Sequence, residues 1–159
     1  MYNLQVIKHR ELSNTDLYKI CSLKSLRWKY NIEEQLEWIK SNLLPEDFHF
    51  LLMKDGELIA YMNFVFVNVT LSNHNVPFLG VGNVCTNKSG EGLGNILMEK
   101  ANQFIKNNDY KGLLLCKENL IDFYKKFNWR VVHQESDFFF MIYNLKEEVL
   151  EFKYTDRSF

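Results

Sequence analysis

No segment of the chain carries a run of basic residues. Lys and Arg number 19 against 20 Asp and Glu, for a formal net charge of -1. Without clustered cations to neutralise phosphates, no nucleic-acid partner is expected. Cysteine is scarce as well: Cys21, Cys85 and Cys116 are an odd number without metal-ligand spacing. Neither a disulfide framework nor a zinc site is expected, and reduced thiols are the ordinary state. The four histidines form no H-x-x-x-H pair, and no metal is expected. No apolar run is long enough to span a bilayer, and the opening MYNLQVIKHRELS has no signal-peptide core. No membrane partner is expected, and the cytoplasm is the simplest compartment. Internal repeats, low-complexity tracts and linkers are also missing, so residues 1–159 are expected to form one domain.

What the chain does have is aromatic bulk. Thirteen Phe, eight Tyr and three Trp in 159 residues supply a core, or the wall of a pocket for a partly apolar molecule.

The periodicity predicts an order of elements. A short strand at LQVIKH is followed by a helix capped by Ser13 with Asp16, then a second helix capped by Asn31 with Glu34. Leu17, Ile20 and Cys21 mark the buried side of the first, and Pro45 closes the second. Strands follow at FHFLLMK, ELIAYMNFVFVNVTL and VPFLGVGNVCT, turning at Asp55-Gly56 and at Ser72 to Asn75. A helix carries the stripe Leu93, Ile96, Leu97, Ala101, Phe104 and Ile105. YKGLLLC reads as a strand buried on both faces, ENLIDFYKKF as a short helix, and WRVV and FFFMIYNL as strands. The last stretch, KEEVLEFKYTDRSF, has no assignable element.

Three glycines, Gly90, Gly92 and Gly94, stand at alternate positions just where the third helix of this order opens. Bare backbone at a helix start suits a closely bound anion, most often a phosphate. Its plainer use is a tight turn with positive φ. A P-loop is ruled out because no Gly-Lys-Ser/Thr closes the stretch. A dinucleotide fingerprint fails because Leu97 stands at its third glycine place, and because the loop follows antiparallel strands.

NVCTNKSGEGLGNILMEKA resembles the GNAT N-acetyltransferase superfamily, whose motif is a strand, R/Q-x-x-G-x-G/A, then a helix. SGEGLG falls on it with Gly92 and Gly94 in the glycine places. LLLCKENLIDFYKKFNW resembles the family's second segment, a strand and a helix carrying an FY pair. The likeness is strong from Val76 to Val132. Three positions depart from the pattern: Ser89 where Arg or Gln is usual, Lys117 where Asn is frequent, and Asn128 where Gly is usual. Asn tolerates the left-handed conformation. The resemblance implies a mixed α/β (α+β) fold, with a mainly antiparallel central sheet of about seven strands flanked by about four helices. It also implies acetyl-CoA as the donor, with an acetyl group moved to a primary amine of a small molecule.

The site residues follow from that match. Amides from Ser89 to Asn95, with Gly90, Gly92, Leu93 and Gly94 between them, would hold the pyrophosphate at the helix N-terminus. Lys88 would add a cation, and Glu91 would point to solvent. The pantetheine arm would run beside Asn83, Val84 and Cys85, with a backbone N–H there receiving the thioester oxygen. Gly80 and Gly82 suit a strand that is bulged or closely approached, or mere edge irregularity. Tyr124 of DFYKKF would protonate the leaving thiolate. Cys85 offers a covalent route, but no neighbour in sequence activates it, and direct transfer is expected. Trp28, Tyr30, Glu33 and Glu34 are the expected acceptor residues, suited to a small cationic amine. The general base stays open between Glu33, Glu34, Glu37 and water. The alternative is a catalytically silent acyl-CoA-binding module or sensor; a flavodoxin-like phosphate binder would need a parallel sheet. The aromatic last strand is where a second copy would pair to make a homodimer.

Overall fold

A computed structural model describes all of residues 1–159. The first strand, β1 (Tyr2–Lys8), leads through a 3-10 turn at His9–Glu11 to α1 (Asn14–Arg27). Ser13 Oγ accepts the Asp16 N–H at 3.1 Å, and Asn31 Oδ1 accepts that of Glu34 at 2.8 Å at the start of α2 (Ile32–Asn42). Each cap satisfies an amide that the helix itself leaves without a partner. β2 (Phe48–Lys54) and β3 (Glu57–Leu71) form the hairpin read from Asp55-Gly56. The next turn is shorter than expected. Only Ser72 and Asn73 make it, both left-handed, and β4 already starts at His74 and runs to Thr86.

After the glycine loop come α3 (Leu93–Asn107), β5 (Gly112–Lys117), a 3-10 turn at Glu118–Leu120 and α4 (Ile121–Lys125). β6 (Arg130–Glu135), β7 (Phe138–Tyr143) and β8 (Phe152–Lys153) complete the order. The sheet runs β1-β2-β3-β4-β5-β7-β6, with β8 on β3. β4 and β5 pair in parallel, while β1–β2, β2–β3, β3–β8, β5–β7 and β6–β7 are antiparallel. This is a mixed α/β fold with four helices and an open, mostly antiparallel sheet, as the family resemblance implied.

The chain divides into two compact units. The first comprises Met1–Val65, Gly82–Leu97 and Phe159, and the second Phe66–Val81 with Met98–Ser158. In the first, α1 and α2 bury Ile20, Cys21 and Ile39, while the β2–β3 hairpin buries Phe50, Leu52, Met62 and Phe64. The Phe50 and Phe64 rings pack at 4.5 Å. Those apolar side chains leaving water drive the packing. In the second, Trp129 is buried and donates Nε1–H to Asn102 Oδ1 at 2.9 Å. Its ring lies so close to Gly112 that a Cβ there would fall 2.5 Å from it.

One expectation needs correction, and one open stretch is filled in. β5 is not buried on both faces throughout: Leu115 is 44% exposed. β4 pairs with β5 only over Leu79–Val81 against Gly112–Leu114, so the strand loses one neighbour halfway and alternates from there. The C-terminal stretch, unassigned from sequence, supplies β8, which pairs Phe152 with Leu71 and Lys153 with Thr70. Beyond it, Asp156 Oδ2 accepts the Asn68 N–H at 2.7 Å.

Candidate active site

The loop between β4 and α3 is held at its start by main-chain bonding. The Asn87 N–H reaches the Ile59 carbonyl at 2.8 Å, and Thr86 Oγ1 donates to the Lys88 carbonyl at 3.0 Å. From there Lys88, Ser89, Gly90, Glu91 and Gly92 are all exposed. Gly90 and Gly92 have φ of +78° and +73°. A Cβ at Gly90 would meet nothing within 4 Å, and one at Gly92 only Asn95 Nδ2 at 4.0 Å. Both glycines are therefore required by backbone conformation, and both leave open space over the helix start. Gly94 differs: it lies inside the first turn of α3 without positive φ. Lys88 and Glu91, with Asn87 and Leu93, face a small cavity of about 250 Å³ beside the β2–β3 hairpin.

Upstream, β4 carries a kink at Asn83, whose φ is +55°. A left-handed residue inside a strand interrupts its ladder and turns a backbone group out of it. The Asn83 side chain donates to Asn63 Oδ1. Asn63 is fully buried, and its own Nδ2 has no partner. The close approach expected at Gly82 is present, and the approaching group belongs to the chain itself. A Cβ on Gly82 would lie 2.4 Å from the Phe159 carbonyl carbon.

Asn83 also lines a cavity of about 400 Å³ together with Lys24, Trp28, Tyr30, Glu34, Gln35 and Trp38. That volume suits a small molecule. Three of the four acceptor residues expected from sequence, Trp28, Tyr30 and Glu34, meet there. Glu33 does not line it, because adjacent helix residues point about 100° apart.

Lys24 and Gln35 escaped the sequence reading. Lys24 is 2% exposed, with its ammonium 4.5 Å from the Trp38 ring centroid and 6.0 Å from that of Trp28. Burial pulls this ammonium down to about 8, while the nearby Cys21 and Cys85 thiols pull it back up. A signal was available: Lys24 stands seven residues after Leu17, four after Ile20 and three after Cys21, on the apolar stripe of α1.

Cys85 is 3% exposed, and burial pushes its thiol up to about 12 against the opposing pull of Lys24 and Arg27. It stays protonated near neutrality, and a protonated thiol is a poor nucleophile. In the second unit, Tyr124 of α4 is 7% exposed and packs edge-on against Phe123 at 5.1 Å. Burial, and then Cys116, raise its phenol to about 12. Asn128, where the family's usual glycine would stand, takes φ of +67°, as its residue type allows.

A family profile described as the Acetyltransferase (GNAT) family matches residues 12–129, and the chain belongs to that family. It is thereby an acyl-CoA-dependent acetyltransferase by class. Among solved structures, an acyl-CoA N-acyltransferase from Pseudomonas aeruginosa aligns with a TM-score of 0.68 at 21% identity, over 88% of this chain and 98% of that one. ElaA from Escherichia coli aligns at 0.65 and 23% identity, over 89% and 99%. A GNAT family acetyltransferase from Brucella melitensis, in complex with acetyl-CoA, aligns at 0.62 and 15% identity, over 96% of each chain. These likenesses are of fold. No curated protein matches the sequence. No helix is long and apolar enough to cross a membrane.

Proposed function

We propose that the protein transfers the acetyl group of acetyl-CoA directly to a primary amine of a small molecule. The observation that carries this reading is the loop itself: two left-handed glycines with open space above them, at the start of the 15-residue helix α3. Ser89, Gly90, Gly92, Leu93, Gly94 and Asn95 present amides and the positive end of the helix dipole to the pyrophosphate, with Lys88 as an added cation. The kink at Asn83 turns main chain toward the donor's arm, and an N–H of Asn83, Val84 or Cys85 receives the negative charge of the thioester oxygen. The aromatic-walled cavity beside Asn83 takes the acceptor, through Trp28, Tyr30 and Glu34. Glu33 stands outside it and is left with a long-range charge at most.

Direct attack by the amine is favoured over an acetyl-cysteine because the Cys85 thiol is held protonated. Tyr124 gives the departing thiolate its proton. A phenol raised to about 12 is fully protonated at neutral pH and can act as a donor. No hydrogen bond within the chain engages its hydroxyl, which leaves it available. A silent acyl-CoA-binding module would have no use for such a group. The chain works as one catalytic domain.

The test is to follow melting temperature with acetyl-CoA, and to follow thiol release against a panel of amines. Stabilisation by acetyl-CoA with amine-dependent thiol release is expected. Stabilisation without release for any amine would favour the silent module, and protection by NADH or FMN in place of acetyl-CoA would refute the reading.

A further inference from the structure

Two buried polar side chains in the aromatic-walled cavity make no hydrogen bond or ion pair within the chain. Lys24 is 2% exposed and Gln35 4% exposed. The ion pairs of the protein lie elsewhere, joining Lys8 and Arg10 to Glu46 and Arg10 to Glu11. No side-chain hydrogen bond engages Lys24 or Gln35, and their polar atoms are not sealed from solvent, so both open onto the cavity they line. A buried cation is normally paired, and a buried amide normally hydrogen-bonded. Near the Lys24 ammonium are two ring faces, Trp38 at 4.5 Å and Trp28 at 6.0 Å, and the thiols of Cys21 and Cys85, which burial keeps protonated. Ring faces soften the cost of burial but do not replace an anion.

We propose that Lys24 and Gln35 bind a carboxylate, so that the acceptor is an amine which also carries a carboxylate, of the α-amino acid kind with an apolar side chain. This rests on the reading of the cavity as the acceptor site. It departs from the small cationic amine expected from sequence, because a ligand with positive charge alone would be repelled by the cation at the cavity's buried end. The charges are matched one to one. The single buried ammonium balances a monoanion, and the Gln35 amide can donate to the second carboxylate oxygen. A phosphate dianion would keep a charge unbalanced and would face the Glu34 carboxylate across the same cavity. Glu34 is exposed, so it lies where an ammonium group attracted from solvent would pass. Trp28, Trp38 and Tyr30 leave the remaining wall to an apolar side chain.

The experiment compares ligands that differ only in the carboxylate: leucine with isoamylamine, and phenylalanine with phenethylamine. Binding is read by tryptophan fluorescence, since two of the three tryptophans line the cavity, and by calorimetry at pH 7. The parent should bind each acid about tenfold or more tightly than its amine, as a charge-assisted hydrogen bond implies. Lys24→Met should lose most of that preference, Gln35→Leu part of it, and Lys24→Arg should keep part. Equal or tighter binding of the amines, no binding of either acid at millimolar concentration, or an unchanged preference in Lys24→Met would each overturn the proposal. So would a fall in kcat on acids and amines alike with KM unaltered, which would make Lys24 a proton acceptor. Retained acetyl-CoA stabilisation in each variant certifies its fold. Acids that bind but are never acetylated would refute the acetyl-transfer reading and leave the carboxylate site standing.

Discussion

The Lys24 ammonium of α1 lies 4.5 Å from the centroid of the Trp38 ring of α2, so a buried cation stands among the apolar residues where the two helices meet. A desolvated cation–π contact contributes roughly 2 kcal/mol, while removing an ammonium from water costs several. That difference is reduced by water reaching the cavity, and relieved further by an anion there or by loss of the proton.

Lys24→Met should therefore stabilise the protein at pH 7. A cation whose pKa falls on folding, here from 10.5 to about 8, binds its proton more tightly in the unfolded chain. Its contribution to stability thus rises with pH between those values, by up to roughly 3 kcal/mol. The advantage of Lys24→Met over the parent should shrink as pH rises from 7 to 10. A difference in denaturant midpoint that stays flat over that range would show that burial does not depress this lysine.

Gly92→Val should abolish the acetyl-CoA-dependent rise in melting temperature. In the parent that gain is about 2.7 kcal/mol at a hundredfold excess over the dissociation constant. The variant should also lose about 1–2 kcal/mol of ligand-free stability, since φ of +73° strains any L side chain. An undiminished ligand shift would place the pyrophosphate elsewhere.

Tyr124→Phe should reduce turnover by roughly ten- to ten-thousand-fold with acetyl-CoA affinity little changed. With the phenol at about 12, the parent's rate should show no loss of this acid below pH 10. Full turnover in Tyr124→Phe would assign the proton to water.

Glu34→Gln should raise the acceptor KM at low ionic strength, and salt should raise it in the parent. Glu33→Gln should do little, because Glu33 does not line the cavity. Equal effects of the two substitutions would mean that only the general field of α2 is felt.

Gly82→Ala should dislodge the segment around Phe159, since the new Cβ would lie 2.4 Å from a main-chain carbon that no rotamer change can move. A cost of about 1–3 kcal/mol is expected for such overpacking. Faster amide exchange confined to residues 156–159 would support the contact, and unchanged exchange there would refute it.

Local chemistry made much of this legible from the chain alone. Ser13 and Asn31 each cap a helix because their oxygens reach an amide three residues on, an interaction that needs nothing remote. Gly90 and Gly92 announce a left-handed loop for the same reason, and apolar periodicity places the long strands and α3. The grouping of Trp28, Tyr30 and Glu34 around one cavity was readable too, because they sit close together in sequence.

What tertiary structure decided were the features that depend on a distant partner. Lys24 becomes a buried cation only when Trp38 of α2 folds over it, and no local rule tells a buried lysine on an apolar stripe from one whose head reaches water. The two-residue β8 has no period to detect and exists because β3 offers it Thr70 and Leu71. Gly82 declared that something approaches it, but only the folded chain shows that Phe159 does. The physical reason is common to all three. Capping and turn energies are set within a few bonds, whereas burial and charge pairing are set by whatever surface the rest of the chain brings.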